Sequence, residues 1–564
     1  MKMTKALRSV LAVVLVISGA LWSAGVARAD LNNSSATNAQ DGNNRSTSTQ
    51  RGSSKSGDAV GGQVTGVVSS GRTSVDARNT STDSDVTTGD ANGSNHASAF
   101  TGLNSTGGPT SVTADINNVK AANLQDGSNR STSTQSVSAT TGDGVAGQVI
   151  GVVTGAGGSA SIVAANTSTN DSVETGDANG TNNFAAFTGL QDGATTTVTA
   201  ADITNSCTAF CVNVQSGGNT TTGRQSSTAH TGDGVAGQVI GGVSSGRLSI
   251  DARNTSDNVD VSTGNADASN GGAVFTGLND SSATTTVQAA DITGSCTGPA
   301  TCNNVQSGRN RSTTNQSASA TTGDGVGGQV IGAVTSAGGS ASIVAANTTT
   351  NSDVDTGDAT SANSLSAFVG LNHSATTTVQ TADITGSCTV GGAGQCFNAQ
   401  DGDNRFTGSQ SATSHTGDGV AGQVLGVVSA GAASVDANNK TDDSSVETGN
   451  SKATNAASEF VGLNVTPPGT TVGGTTADIS GANANNLQDG GNRKTLSQAA
   501  DATSGDAVAG EVAGVVTSAG GSASVVLANT STSIDSTTGE TKFANDDSGF
   551  VGLNFSVTGP IVVR

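Results

Sequence analysis

The sequence has no tyrosine, one tryptophan and only 12 phenylalanines in 564 residues. Trp22 lies in the N-terminal leader described below, so the rest of the chain has phenylalanine as its sole aromatic residue. Trp and Tyr, whose rings combine an apolar face with a polar group, are therefore not available as stacking platforms for sugars.

Long apolar runs are also missing, except near the N-terminus. Lys2, Lys5 and Arg8 precede an apolar run at residues 10–17, and small residues at 27 and 29 flank Arg28. This pattern predicts a secretory signal at residues 1–29. Nothing later approaches the ~20 apolar residues of a membrane span. We expect a secreted, extracellular protein that can associate with the cell surface.

Basic residues are scarce. The formal net charge is −21, and removing the four basic residues of the signal makes it −25. Such an acidic chain is not expected to bind nucleic acid. Few charges and a modest apolar fraction are compatible with disorder, but the periodicity of the chain argues against it.

One unit occurs six times, and a glutamine marks its start in each copy. These glutamines are Gln40, Gln125, Gln215, Gln306, Gln400 and Gln488. Self-similarity of this kind indicates a repeat array. After the signal, the repeats span residues 30–122, 123–212, 213–303, 304–397, 398–485 and 486–564.

Each repeat contains two T-G-D-like phrases. Their separation is 32 residues in repeats one, three and five, and 34 in repeats two, four and six, as in Asp58 to Asp90 and Asp143 to Asp177. The longer period is therefore a pair of repeats. Between the phrases, Ser, Thr, Val, Asn and Gly are poor helix formers and alternate as in β-strands.

The sequence predicts an all-β fold, an elongated β-solenoid or β-helix built from six repeats of ~90 residues. Six tandem β-sandwich domains are the alternative, because ~90 residues suits an immunoglobulin-like domain. The missing Trp and Tyr and the lack of linkers favour the solenoid. Rise per layer suggests a rod on the order of 100 Å long.

The first T-G-D phrase contains G-x-G-x-x-G in repeat two, at Gly142, Gly144 and Gly147. A dinucleotide site needs a helix after these glycines, whereas a strand follows here. We interpret the phrase instead as a tight turn with positive φ. The predicted repeat turns are at Asp58, Asp143, Asp233, Asp324, Asp418 and Asp506.

Half of all phenylalanines occupy one repeat position, in the phrase A-F-x-G-L. Such regularity predicts a packing ladder in the core. Its members are Phe100, Phe187, Phe275, Phe368, Phe460 and Phe550.

All six cysteines lie in one region of repeats two, three and four. Each pair brackets an insert of variable length, which predicts a disulfide closing each loop. Zinc is the weaker alternative, because the spacing drifts and no histidine accompanies it. The predicted pairs are Cys207–Cys211, Cys296–Cys302 and Cys388–Cys396.

No residue pattern indicates catalysis. His230 and His415 stand where other repeats have Thr or Ser, and His96 and His373 lack partners at a recognisable spacing. We therefore predict that the protein is not an enzyme and has no cofactor. Calcium is considered because of the acidic turns, although no EF-hand loop is present.

The phrase from Gln125 through Asn129 to Gln135 resembles the Gln/Asn repeats of curli-type amyloid subunits, with a Gln-to-Asn gap one residue shorter. More broadly, the chain resembles secreted bacterial β-helical adhesins and surface fibres. The resemblance implies stacked Gln and Asn ladders and an extracellular structural or adhesive role, and it carries over no catalytic residues.

The expected function is that of a secreted structural or adhesive protein that contacts a cell surface, a matrix or copies of itself. The alternative is a binder of a regular lattice such as ice, through ranks of threonine such as residues 195–197 and 376–378. A carbohydrate-active β-helix is a further alternative.

Overall fold

The computed structural model describes the residues of six successive segments, one from each repeat. They are residues 44–102, 128–189, 218–277, 309–370 without 337, 403–462, and 491–552 without 519. We call them coil 1 to coil 6. Between them the structure gives only the backbone of further short strands, and the residues of the predicted signal lie almost entirely outside it.

Each coil contains six strands, and equivalent strands of the six coils form six parallel sheets. Sheet 1 consists of Asn44–Lys55, Asn129–Thr140, Phe210–His230, Thr301–Thr321, Asn404–His415 and Asn492–Thr503. Sheet 2 consists of Ala59–Val60, Gly144–Val145, Gly234–Val235, Gly325–Val326, Gly419–Val420 and Ala507–Val508. Sheet 3 consists of Gln63–Ser69, Gln148–Thr154, Gln238–Ser244, Gln329–Thr335, Gln423–Ser429 and Glu511–Thr517.

The other three sheets follow a connection near residues 70–72 of coil 1. Sheet 4 consists of Thr73–Thr82, Ala160–Thr169, Leu248–Asp257, Ala341–Thr350, Ala433–Asp442 and Ala523–Thr532. Sheet 5 consists of Asp85–Thr87, Ser172–Glu174, Asp260–Ser262, Asp353–Asp355, Ser445–Glu447 and Asp535–Thr537. Sheet 6 consists of Ala91–Ser105, Ala178–Asp192, Ala266–Asp280, Ala359–His373, Ser451–Val465 and Thr541–Phe555.

Further strands are given by their backbone. They are Ala27–Arg28, Leu31–Asn32, Ala36–Asp41, Val112–Thr113, Ile116–Asn117, Lys120–Asp126, Thr197–Thr199, Ile203–Thr204, Thr284–Gln288, Ile292–Thr293, Thr376–Gln380, Ile384–Thr385, Ser387–Cys388, Gln395–Asp401, Thr471–Val472, Ser480–Gly481 and Ala484–Asp489. Nowhere in the described residues is there a helix of the length and apolarity needed to cross a membrane.

Coils stack in sequence order and in register. Gln135 of coil 2 lies between Gln50 of coil 1 and Gln225 of coil 3, and the same holds along every sheet. The prediction of an all-β solenoid of six stacked repeats is confirmed. The predicted length of ~100 Å is wrong, because a whole repeat forms a single coil. Five steps of ~4.8 Å give the six coils a rise of about 24 Å.

The coil is flattened, with sheets 4–6 folded back over sheets 3–1. Ile150 and Val152 of sheet 3 pack against Ile162 and Ala164 of sheet 4, and these side chains are all at most 1% exposed. Alanine and valine fill the narrower space between sheets 2 and 5. Burying apolar surface at ~25 cal/mol per Å² stabilises every such layer, but only when another coil covers it.

Between sheets 1 and 6 the interior combines apolar clusters of alanine, phenylalanine and leucine with columns of buried Gln and Asn. Gln135 Nε2 donates to Gln50 Oε1 at 2.8 Å and to the Asn183 carbonyl at 2.8 Å. Asn182 Nδ2 donates to Asn270 Oδ1 at 2.9 Å and to the Ser226 carbonyl at 2.8 Å. Each buried amide thus bonds along its own column and across to the facing sheet, which satisfies the polar groups that burial would otherwise penalise.

The Gln and Asn ladders implied by the curli-type resemblance are present. Five amide columns run through the coils, and they begin at Asn44, Gln50, Gln63, Asn79 and Asn95. Their direction differs. Glutamines donate toward coil 1, whereas these three asparagine columns donate toward coil 6.

Candidate functional site: an aromatic groove, a charged cluster and two end faces

The T-G-D corners bond one coil to the next. Where sheets 1 and 2 meet, the Gly232 NH donates to Thr141 Oγ1 at 2.9 Å and the Asp233 NH donates to Asp143 Oδ1 at 3.1 Å. The second phrase repeats this with Gly264 and Thr175 at 3.0 Å. Side chains of Thr and Asp therefore satisfy NH groups at corners, where the sheet ladder is interrupted.

All six predicted turn aspartates lie at this corner. The expected positive φ is absent there: among the described residues other than glycine, left-handed backbone occurs instead at Asp83, Asn170, Asn258, Asn351, Asp443 and Ser533, between sheets 4 and 5. Asn and Asp tolerate this conformation better than most residues do. The sequence signal for this turn was the Asn or Asp two residues before the strand of sheet 5, and it was missed.

The glycines of G-x-G-x-x-G allow coils to approach each other. A Cβ on Gly142 would lie 2.3 Å from the Gly57 carbonyl oxygen, and one on Gly147 would lie 2.0 Å from the Gly237 carbonyl oxygen. A Cβ on Gly144 would lie 2.7 Å from Val173 Cγ1. Gln148–Thr154 is the strand that follows. The motif therefore serves close packing, and no helix N-terminus is available for a pyrophosphate.

The predicted phenylalanine ladder is formed, but not in the core. Successive rings from Phe100 to Phe550 stack with centroids 4.7–5.0 Å apart and interplanar angles of 2–15°. Alternation along sheet 6 turns Phe184 and Ala186 inward, so Phe187 points outward. Phe100 is 41% exposed and Phe550 40%. The core assignment is wrong because the parity of the strand places this position on the outer face.

These rings line a groove that runs across all six coils. Its volume is about 900 Å³, and small residues such as Ser98, Ala185 and Ser366 form the remainder of its lining. Glu459 is the single charged residue of its lining.

Glu459 belongs to a charged cluster at the coil 6 end. Its buried carboxylate lies 2.8 Å from Lys494 Nζ, which also contacts Asp547. Burial raises the pKa of Glu459, although the lysine opposes this shift. Burial lowers the pKa of Lys494, but its bonds to Asp547 and Glu459 outweigh that effect and leave it raised. One cation between two carboxylates holds an ion pair and offers no nucleophile.

Stacking brings like charges together along the outer corners. Burial raises the pKa of Asp324, and so do Asp233 and Asp418 in the coils on either side, although its bond with the Asp418 backbone lowers it. Within the described part of the chain, no group of three or more His, Cys, Asp or Glu side chains is placed to hold a metal ion.

The other sequence-based site assignments involve residues whose side chains are not described. The backbones of Cys211, Cys302 and Cys396 are in register in neighbouring coils, but all six cysteine side chains lie outside the described residues. The three disulfides therefore stay predictions. The same holds for the threonine ranks, where the backbones of Thr197, Thr286 and Thr378 are in register.

The two end faces are the places where the regular pattern is interrupted. Phe543 of coil 6 is 71% exposed, whereas its neighbour Ala453 in coil 5 is fully buried. Leu527 is 45% exposed above Ala437, which is 1% exposed. At the other end, Val60 is 55% exposed, against 6% for Val145, but this position packs with the outer residues of sheet 3 rather than with the core. It is the open face of coil 6 that presents interior-facing apolar side chains, among them Phe543 and Leu527.

No family model, curated protein or solved structure matches this chain.

Proposed function

We propose that this is a secreted, non-enzymatic structural or adhesive protein of the extracellular surface or matrix. The observation that carries the proposal is the identical use of each position in successive coils. Gln135, Asn166 and Asn182 make the same column and cross-sheet bonds in coil 2 that their equivalents make in coil 3. Catalysis needs unlike groups converging at one place, whereas a scaffold needs equal layers.

The outer surface supports this role because it repeats as well. One outward column of sheet 4 is serine in every coil: Ser74, Ser161, Ser249, Ser342, Ser434 and Ser524. Two residues further along each strand, Asp76 alternates with Val163, then Asp251 with Val344. A surface with this periodicity offers many weak, equivalent contacts to a partner, and such contacts add up through multivalency.

The test measures retention of the mature chain, residues 30–564, on intact cells and on insoluble extracellular matrix. A matched variant lacks residues 129–309, which removes coils 2 and 3 and leaves four coils in register. We expect both proteins to be retained, and the shorter one to be retained more weakly because it offers fewer contacts. If neither chain binds cells, matrix or itself, the proposal is overturned.

A lattice binder is the second candidate, because outward threonines form a two-dimensional array on sheet 4. Thr80 and Thr82 lie in register with Thr167 and Thr169, about 4.8 Å away. Asp257, Lys440 and Asp442 interrupt the array in coils 3 and 5. Thermal hysteresis of a concentrated solution of the mature chain tests this candidate, and its absence removes ice as the ligand.

A further inference from the structure

We infer that copies of this protein stack head to tail, coil 6 of one copy on coil 1 of the next, with Phe543 inserting above Gly52 and Gly93. The inference rests on the proposed structural role and names the partner, a second copy of the chain. It assigns a function to the two end faces, which interrupt the pattern of equal layers.

Size complementarity is the first support. Phe543 occupies an interior position that is glycine, alanine or serine in every other coil: Gly93, Gly180, Ala268, Ser361 and Ala453. It is 71% exposed on the open face of coil 6. Within the part of the chain that the structure describes, no side chain covers most of that ring.

Coil 1 has a matching hollow. Its two interior positions closest to this site are both glycine, Gly52 and Gly93, where coil 2 has Val137 and Gly180. Cβ atoms built on either glycine would approach Val137 Cγ2, so the two positions face each other across the coil. The free space lies beside Gly52, where a Cβ would meet nothing closer than 3.4 Å, whereas a Cβ on Gly93 would lie 2.6 Å from Val137 Cγ2 of coil 2. The Phe543 ring of another copy occupies the space that the missing side chain of Gly52 leaves above Gly93.

Hydrogen-bond polarity is the second support. Gln498 donates to Gln410, so its own Oε1 faces the open end of coil 6 as an acceptor, and in coil 1 Gln50 accepts from Gln135 and has a donor NH to offer. Asn455 donates to Asn545, which leaves the Asn545 amide NH for the Asn95 oxygen of the next copy. Stacking coil 6 on coil 1 pairs a donor with an acceptor in both columns.

The corner residues match in the same direction. The Asp506 NH donates to Asp418, and within the described chain no further coil lies beyond Asp506 to use its carboxylate. In coil 1 the Asp58 carboxylate already accepts from Asp143. A second copy of coil 1 on coil 6 therefore supplies the missing donor through the NH of Asp58.

Charge and periodicity are the third support. Coil 1, with five basic and five acidic residues, has no net charge, whereas coil 6, with three basic and seven acidic residues, has a net charge of −4. A junction of coil 6 with coil 1 therefore brings less like charge together than a contact between two coil 6 faces would. Coil 6 is an even-numbered coil and coil 1 an odd-numbered one. Stacking coil 6 on coil 1 therefore continues two alternations seen along the chain: Asp (as at Asp76) with Val (as at Val163) on sheet 4, and the shorter with the longer segment between the two T-G-D phrases. Apolar Val526 then lies beside Asp76, as Val163 does in the chain itself. The six described coils thus make three two-coil periods.

The test uses the mature chain with two single substitutions at opposite ends. Phe543→Ala removes the protruding ring, and Gly52→Val fills the hollow with the residue that coil 2 carries at this position. Sedimentation velocity and electron microscopy follow assembly as a function of concentration. Phe275→Ala, in the ladder of the central coil 3, is the control. Circular dichroism checks that each variant is folded.

We expect the parent and Phe275→Ala to form linear assemblies one molecule wide, and each end variant to need a concentration more than about a hundredfold higher. An equimolar mixture of the two end variants should give dimers, because each retains one intact face and the two intact faces are complementary. Dimers in the mixture alone require a heterologous contact.

The inference is overturned if the parent stays monomeric at all concentrations, if either end variant assembles like the parent, or if the mixture gives no dimer. Monomers that still adhere to cells or matrix would reject end stacking and leave the proposed function intact. Assemblies that adhere to nothing would support end stacking and reject the adhesive role.

Discussion

Single residues matter most in this protein where one member of a column differs from the rest. Glu511 ends a column of glutamines that starts at Gln63. Its Oε1 and the neighbouring Gln423 Oε1 are both buried without a hydrogen-bond partner in the described residues. These two facing oxygens can form a hydrogen bond only if Glu511 is protonated. Burial raises the pKa of Glu511 and so favours its protonated form.

We expect Glu511→Gln to stabilise the chain, because the amide can donate to Gln423 Oε1 as every other glutamine of the column does. With the folded-state pKa of Glu511 above 4.5, its favourable contribution is complete below about pH 4.5. That contribution is lost as pH rises through the folded-state pKa. Denaturation midpoints at pH 4 and pH 7 test this, and the gain should be larger at pH 7. A larger gain at pH 4 would contradict the assignment.

A member in the middle of an amide column should be more important than one at its end. Gln225 donates to Gln135 at 2.9 Å and to the Gly271 carbonyl at 2.9 Å, and accepts from Gln316 at 2.8 Å. Gln225→Ala leaves buried groups unpaired and should cost on the order of 2–4 kcal/mol of unfolding free energy.

Gln498→Ala in coil 6 is the matched control for the column. Gln498 is partly exposed and accepts from no further coil. Its loss should cost about 1 kcal/mol or less. Chemical denaturation of both variants measures the difference, and equal costs would mean that the column contributes no more in the middle than at the end.

At the scale of strands, glycines set how closely coils approach. Gly277 near the end of sheet 6 has φ of +135°, and a Cβ there would lie 1.9 Å from the Gly370 carbonyl oxygen. Gly151 lies in sheet 3 with no heavy atom within 4 Å of a built Cβ. The two glycines therefore have different reasons to be present.

Gly277→Ala should lower the unfolding free energy by about 3 kcal/mol or more, since it combines backbone strain with a backbone clash. Gly151→Ala should change it by less than about 1 kcal/mol. Urea denaturation of the two variants is the measurement. A tolerant Gly277→Ala would show that the coils are not held at this spacing.

The sequence predicts the β-strands and their in-register stacking, but it does not predict on which face of a strand every side chain lies. In-register stacking follows from equal phrases such as the one around Gln135, because identical side chains satisfy each other only when aligned. The outward position of Phe187 depends on the parity of the strand Ala178–Asp192, in which Phe184 and Ala186 point inward. A one-residue change of parity moves every side chain to the opposite face.

At the scale of the whole molecule, stability should depend on the number of coils, since each coil borrows its core from its neighbours. The variant without residues 129–309 brings coil 1 onto coil 4 and keeps the odd–even order. We expect it to unfold cooperatively at a lower denaturant midpoint than the parent. An unchanged midpoint would mean that the repeats are independent domains.

The end faces could not be predicted from the repeat pattern, because they are defined by departures from it. Phe543 reads as a variant residue in a degenerate repeat, and Gly52 and Gly93 read as ordinary small residues. These three residues can be related to one another only because coils 1 and 6 lie at opposite ends of the stack. The predicted cysteine pairs and threonine ranks lie where the side chains are not described.

Opposed donor directions in the amide columns affect the electric field along the stacking axis. Side-chain dipoles of the two glutamine columns and of the shorter ladder Asn170, Asn258 and Asn351 point one way, and those of the three asparagine columns that begin at Asn44, Asn79 and Asn95 point the other. Much of their sum cancels, in contrast to a long helix, whose peptide dipoles all add. Lengthening the stack therefore adds little net side-chain dipole along its axis, and the polarity of the amide columns gives neither tip a growing partial charge.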